Sequence, residues 1–265
     1  MKKPLQAVLL VMLLSIGSAE ASAAPLRLCY EDISQPPWSA PDGSGLNIVL
    51  LHKVAEHLNE QFVYLPKPWK RCFEELRWGD VDAVIGAADS PSRRAFGVLP
   101  RLPDGHADPS SALNEDTYYV FIRNGSGASW DGRKLTIPHG SVIVPRSYSA
   151  ASLLRSQGYP VSEIVKTPEE AFRLLADGKA DVAVLFGRGA AELAHSARFI
   201  SQVSEAETPY VTQPYFLMAG QTAYKRDAGR IDAIWSAIRE VRATDEYRSM
   251  ERDATSHSEP VTAQR

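Results

Sequence analysis

The sequence predicts an α/β protein of two similar lobes, each a mainly parallel sheet flanked by helices. Three observations predict it. One phrase occurs twice: Pro68 to Asp82 lines up without a gap on Thr167 to Asp181, with Phe73/Phe172, Leu76/Leu175, Gly79/Gly178 and Asp82/Asp181 in register. Each copy runs from a helical pattern through a Gly turn and an Asp into apolar residues, Ala83-Val84-Ile85 or Val182-Ala183-Val184-Leu185. That is the pattern of a helix stopped by glycine and followed by a buried strand. Each copy is also preceded by a strand-like run, Phe62 to Leu65 and Glu163 to Val165. The chain therefore carries two β-α-β units, which favours two lobes over one sheet.

The N-terminus reads as a secretory signal: Lys2-Lys3, an apolar run from Ala7 to Ile16, then Ala21-Ser22-Ala23 as small residues before a cleavage site. The apolar run is shorter than the ~20 residues that span a bilayer. Residues 1–23 are thus expected to leave, with an uncleaved N-terminal anchor as the alternative that the small residues disfavour, and the mature chain is expected to be exported and soluble.

Leu26 to Tyr30 reads as the first strand, Gln35-Pro36-Pro37-Trp38 as a turn and Asp42-Gly43-Ser44-Gly45 as a loop. A helix follows from Leu46 to Leu58, with Ile48, Leu51, Val54, Ala55 and Leu58 at helical spacing. With the first repeat this makes β-α-β-α-β, whose ligands bind beyond the C-terminal ends of the strands. Pro100 to Pro109 reads as irregular, Thr117 to Ile122 as a strand, and Asn124-Gly125-Ser126-Gly127 as its stop, so a crossing into the second lobe belongs here. The second lobe then holds Leu135-Thr136-Ile137, a strand Val142 to Val144, a helix Ser149 to Gln157 and the second repeat. Tyr210 to Ala219 is the expected return strand and Ala228 to Tyr247 a closing amphipathic helix. The expected division is 24–116 with 214–255 as lobe 1, 117–213 as lobe 2, and 256–265 as a disordered polar tail.

Composition is that of an ordinary globular chain, 44% hydrophobic and 23% charged with a net charge of −3. No basic run or aromatic-basic interleaving points to nucleic acid. Six scattered His and two distant Cys show no metal-ligand spacing, so neither metal nor cofactor is expected. Cys29 ends the first strand and Cys72 sits in the helix of the first repeat. Both fall near one edge of the same sheet, and an oxidising exported compartment permits a disulfide between them, with two free thiols as the alternative.

Gly45-Leu46-Asn47 opening the first helix, the Leu-x-x-Gly-x-x-Asp-Ala turn ending at Asp82-Ala83, Ser90 to Pro100, and the closing Ile234-Trp235-Ser236-Ala237-Ile238 with Tyr247 carry a family resemblance. In this order and spacing the chain resembles periplasmic solute-binding proteins of the polar-amino-acid type (family 3), with the two-lobed type II fold, over nearly the whole mature length. The resemblance implies a monomer that captures a small carboxylate-bearing solute in the periplasm and delivers it to an ABC transporter permease. Arg93 matches the Arg of the family's Ser/Thr-x-x-Arg segment, which grips the solute carboxylate; a planar guanidinium suits that work, and a solvated surface Arg is the alternative. Trp38 matches the aromatic that packs on the ligand, with a loop Trp that covers the lobe as the alternative. Ala88, Asp89 and Ser90 match the residues leaving the third strand. Arg146-Ser147-Tyr148-Ser149 resembles the helix start that offers N–H groups and hydroxyls to an anion; for Ser149 a plain N-cap is the alternative.

Trp69 and Arg71 are present in the first repeat and absent from the second, where Pro168 and Glu170 stand. Residues that break a repeat are candidates for binding, and the shared Phe, Leu, Gly and Asp for scaffold; Trp69 also fits a core position. The family's usual Asp after the last strand of lobe 2, which receives the ligand's ammonium, is missing: the stretch reads Leu185-Phe186-Gly187-Arg188. Phe186 and Arg188 suit a second anionic group or an aromatic ring, which leaves an α-amino acid beside a dicarboxylate, a small peptide or an aromatic acid. Glu31, Asp32 and Asp89 are the acidic groups expected near the cleft. No catalytic set is evident, so binding without chemistry is expected, with a sensor that signals to a receptor, or a dehydratase-like enzyme, as alternatives.

Overall fold

The structure is a computed structural model and describes residues 24–256. The expected signal lies outside the described residues, as does the expected tail except for Ser256, which closes the last helix. The first lobe opens with β1 (Leu26–Glu31), α1 (Leu46–Leu58), β2 (Phe62–Lys67), α2 (Trp69–Trp78), β3 (Ala83–Ala87) and the short β4 (Gly97–Val98). β5 (Asn114–Arg123) then leads into β6 (Ser129–Trp130), β7 (Leu135–Thr136), β8 (Val142–Pro145), α3 (Ser149–Ser156) and β9 (Val161–Val165). The second lobe continues through α4 (Pro168–Ala176), β10 (Val182–Phe186), α5 (Arg188–Ala194) and β11 (Val203–Glu205). β12 (Val211–Gly220) returns to the first lobe, which ends in α6 (Gln221–Arg226), α7 (Ala228–Arg242) and α8 (Asp245–Ser256).

Strand order is β2-β1-β3-β12-β5-β10-β8-β9. β1 is parallel to β2 and β3, and β8 is parallel to β9 and β10. β5 and β12 are the two crossing strands. They pair antiparallel from Tyr118/Val211 to Asn114/Tyr215, after which β12 moves onto β3. The fold is thus two-lobed α/β, each sheet mainly parallel with antiparallel strands where the lobes join.

In lobe 1, α1 and α7 cover one face over Leu28, Ile48, Leu51, Ile234 and Ile238, and α2 covers the other over Leu76, Val84 and Met218. In lobe 2, Phe121, Phe172 and Leu175 pack under α4 and α5, and Val120, Leu154 and Val184 under α3. Burying each such large side chain contributes about 1.5–3 kcal/mol.

The two copies of the repeat do the same structural work. Gly79 and Gly178 sit at φ 81° and 69°, the left-handed stop that a Cβ disfavours. Asp82 accepts the Arg27 N–H at 2.8 Å and is flanked by the Arg27 and Arg226 guanidiniums. Asp181 accepts the His139 N–H at 2.9 Å and pairs with Arg123 at 2.6 Å. Each Asp is buried and fastens the entry of a neighbouring strand.

Cys29 and Cys72 are bonded, their Cα atoms 5.5 Å apart, and tie β1 to α2. The closing helix differs from expectation: it breaks after Arg242 instead of running to Tyr247. Thr244 Oγ1 donates to the Val241 carbonyl and accepts the Tyr247 N–H, which starts α8 afresh. The turn drops Tyr247 into the core, where its hydroxyl donates to the Leu46 carbonyl at 3.2 Å.

Candidate functional site

The C-terminal ends of β1 and β3, the start of α2 and the start of α3 face one another across the two crossing strands. Between them lies a cavity of about 30 Å³ lined by Glu31, Gln35, Asn47, Trp69 and Arg93 from lobe 1, and by Tyr118, Tyr148, Ser149, Phe186 and Tyr215 from the crossing strands and lobe 2. A second cavity of about 60 Å³, shared by Gln35, Tyr148 and Phe186, adjoins it. Since a water needs about 10–15 Å³ of such space, a solute of amino-acid size enters only when the lobes part.

Arg93 follows the turn after β3 and is 6% exposed. It donates to the Ala88 carbonyl at 2.9 Å and, across the cleft, to the Ser147 carbonyl at 3.0 Å. Its guanidinium carbon lies 4.4 Å from the Phe73 ring centroid and 6.0 Å from that of Trp69, within the range of cation–π attraction. Among the described residues no carboxylate bonds it. Burial pulls its pKa down from the ordinary value, while Tyr118, Tyr215 and Asp89 act in the opposite sense; an arginine stays charged regardless.

Glu31 ends β1 and is also 6% exposed. Burial, reinforced by neighbouring Asp32, pushes its carboxyl up to about 8 against the Trp69 N–H that donates to it at 3.2 Å. The hydroxyls of Tyr118, Tyr148 and Tyr215 are raised by burial and stay protonated. The cavity therefore presents one cation, one protonated carboxyl and a ring of hydroxyls.

Among the described residues, side-chain hydrogen bonds from Arg93, Gln35 and Trp38 join lobe 1 to the crossing strands and lobe 2. Besides the one from Arg93, Gln35 Nε2 donates to the Tyr148 hydroxyl at 2.6 Å, and Trp38 Nε1 donates to Asp116 Oδ2 on β5 at 2.6 Å. Burial raises the Asp116 carboxyl to about 6, against the donors Thr117 N–H and Trp38 and the charge of Arg188.

Of the residues expected at the site, Trp69, Arg93, Tyr148 and Phe186 line the cavity. Ala88 is buried and supports Arg93 through its carbonyl, as Ser147 does from φ 65°. Trp38 is buried beside the cavity, fixed to Asp116. Ser90 is buried, its hydroxyl 3.2 Å from that of Ser92. Asp89 lies apart, paired with Arg94 at 2.8 Å and Arg101 at 3.4 Å; burial raises its pKa, but the two guanidiniums win and leave it below the ordinary value.

Arg188 opens α5, 5.7 Å over the Tyr119 ring, and does not line the cavity. Arg71 points away from the cleft, bonded to Glu75 one helical turn on at 2.7 Å and lying 5.7 Å over Trp78. Having Arg at a repeat-breaking position did not bring it to the site, because position 71 falls on the outer face of α2. Phe73, a shared position expected to be scaffold, packs against the lobe-1 core with its ring centroid 4.4 Å from the Arg93 guanidinium carbon and does not itself line the cavity. Ser149 is no N-cap: its hydroxyl accepts from Gln213 Nε2 at 2.8 Å.

Sequence reasoning missed Asp116, Tyr118 and Tyr215. Their signal was alternation on the crossing strands, where Asp116 and Tyr118 share a face of β5.

No protein-family model and no curated protein sequence matches this chain. Solved structures do. A histidine kinase sensor domain with similarity to periplasmic binding proteins superposes with a TM-score of 0.68 at 19% identity, over 87% of this chain and 95% of that one. The arginine-, lysine-, histidine-binding protein of Geobacillus stearothermophilus gives 0.66 at 14% identity over 88% and 96%. The substrate-binding protein of an amino acid ABC transporter gives 0.62 at 14% over 88% and 100%. At such identities the likeness shows the fold, that of the two-lobed periplasmic binding proteins.

Proposed function

We propose that the protein binds a small carboxylate-bearing solute in the cavity between its lobes, with Arg93 holding the carboxylate. One observation carries this reading: a guanidinium buried between two lobes, held by backbone carbonyls and aromatic faces, and bonded to no carboxylate among the described residues. Burying a charge without an ionic partner is expensive, and an incoming carboxylate would offset that cost through paired charge-assisted hydrogen bonds. Trp69 and Phe186 would flank the solute, and Tyr118, Tyr148 and Ser149 would supply hydroxyls. Ala88 and Ser147 position Arg93, and Trp38 braces the wall. Asp89, Ser90, Arg71 and Arg188 take no direct part in this reading.

Lobe closure around the solute is the working motion, and no chemistry is assigned to it. With residues 1–23 as signal, the place of work is the periplasm. The partner in this reading is an ABC transporter permease, which the likeness to the substrate-binding protein of an amino acid ABC transporter supports; the sensor-domain neighbour supports a second reading in which the closed form reports to a receptor.

A thermal-shift screen of amino acids, organic acids and short peptides, followed by calorimetry, tests the proposal. Arg93→Ala is expected to weaken any hit about 30- to 150-fold, the 2–3 kcal/mol scale of a lost charge-assisted pair. A hit that binds Arg93→Ala undiminished would sink the assignment.

A further inference from the structure

We infer that the solute is an elongated acid: its carboxylate sits on Arg93, and an apolar, ring-bearing body passes the Gln35–Tyr148 pair into the second cavity. This rests on the solute-binding reading above and specifies the ligand class for the same site. The cavity beside Arg93 holds about 30 Å³ and the adjoining one about 60 Å³. A solute that filled only the space at Arg93 would leave the larger part empty. Gln35, Tyr148 and Phe186 line both cavities and form the neck between them. Gln35 Nε2 closes the neck by donating to the Tyr148 hydroxyl at 2.6 Å, so an entering body has two side chains to part and no backbone wall. The neck is aromatic as well. The Phe186 ring centroid lies 5.5 Å from that of Tyr118, 6.1 Å from that of Tyr148 and 5.1 Å from that of Tyr215, each pair edge-on, and such a border favours a flat aromatic body.

Beyond the neck the walls change character. The loop after β1 contributes Ile33 and Pro36, the end of β8 Pro145 and the start of α4 Pro168. No carboxylate lines this cavity, and apart from the Tyr148 hydroxyl its one ionisable side chain is Lys166. An ammonium carried into it would meet no counter-charge, which is costly, whereas an apolar body gains by leaving water. Gly189 adds an independent argument. It stands within α5 without a positive φ, where glycine is less favourable than alanine. A Cβ there would meet nothing closer than Pro36 Cγ, at 3.8 Å, an ordinary contact. Neither the backbone nor the packing requires a glycine at this position. Its bare Cα keeps the second cavity wide between Pro36 on lobe 1 and α5 on lobe 2.

The test is calorimetry on the oxidised protein with acids of growing body: propanoate, hexanoate, benzoate, 3-phenylpropanoate and 2-naphthoate. The best ring-bearing acid is expected to bind at least about tenfold more tightly than propanoate, the scale for burying a ring. An ammonium at the far end, 6-aminohexanoate against hexanoate, is expected to weaken binding by about tenfold or more, as an unmatched buried charge does. Gly189→Ala and Gly189→Leu grow into the second cavity and should lower the preference for ring-bearing acids over propanoate in steps. Thermal melts establish that each variant is folded, and Gly189→Ala, one methyl at ordinary contact distance, carries the comparison if the Leu variant is not. A preference that survives these substitutions undiminished puts the body elsewhere and overturns the inference. If propanoate binds as tightly as every larger acid, or the far-end ammonium is preferred, and Arg93→Ala abolishes that binding, this inference falls while the carboxylate reading stands. If the ring-bearing acids bind Arg93→Ala undiminished, or no acid of any size binds, both readings fall.

Discussion

At the residue scale, Glu31 makes the stability of the protein depend on pH. Below its ordinary value of 4.5 the carboxyl is protonated whether the chain is folded or not. Between 4.5 and about 8 the unfolded chain has lost the proton that the folded chain keeps, so stability falls as pH rises through that window. Asp116 adds a similar fall between 3.8 and about 6. Glu31→Gln keeps an acceptor for the Trp69 N–H and cannot ionise. It is expected to gain up to about 4 kcal/mol over wild type on going from pH 5 to pH 8, since each tenfold difference in proton affinity between the folded and unfolded chain is worth about 1.4 kcal/mol. Urea unfolding at the two pH values measures this; parallel pH profiles for the two proteins would refute it. Trp69, Arg93 and Phe186 were legible at this scale because each carries a chemistry that its strand end or repeat position makes conspicuous. Asp116 and Asn47 were not, since an acid inside a strand and an amide at a helix start have common structural uses, and only the folded cleft shows which use applies.

At the scale of elements, the start of α1 depends on one glycine. Gly45 has φ 109°, and a Cβ there would stand 2.5 Å from the Trp38 carbonyl oxygen, which itself receives the Asn47 N–H at 2.9 Å. Gly45→Ala must move α1 off the Trp38 loop, with a cost of more than about 2 kcal/mol, read as a lower denaturation midpoint; an unchanged midpoint would contradict the packing described. The Cys29–Cys72 bond closes a loop with a sequence separation of 43. Replacing both by Ala is expected to cost about 3–4 kcal/mol, visible as a fall in Tm equal to that of the reduced wild type. The strands and helices of both repeats were readable because periodicity and glycine stops are local. The break at Thr244 and the short α5 were not: an amphipathic run does not reveal that Tyr247 is needed in the core, and Arg188 to Ala194 is too short for a clear period.

At the scale of the whole molecule, the lobes meet through few polar contacts, and each can be removed singly. Tyr148→Phe deletes the hydroxyl that accepts from Gln35. Losing about 1 kcal/mol there shifts the open–closed balance roughly fivefold, expected as a larger radius of gyration in small-angle scattering; no change would mean that Gln35–Tyr148 does not hold the lobes. The two-lobed plan was legible in the sequence because a repeat duplicates a fold unit. The pairing of β5 with β12 was not, since strands about a hundred residues apart carry no local mark of partnership.

That pairing also sets the order in which the protein can be completed as it is made. β12 lies between β3 and β5, and α7 covers α1, so the lobe that begins the chain lacks a central strand and a covering helix until its last fifth emerges. Lobe 2, apart from its share of β12, is continuous and is synthesised first to completion. The N-terminal segments must wait, with exposed apolar faces, through the making of the other lobe. A ribosome-length series of chains ending before and after β12 should therefore gain protease resistance in the β1–β3 region only once residues 211–242 are present.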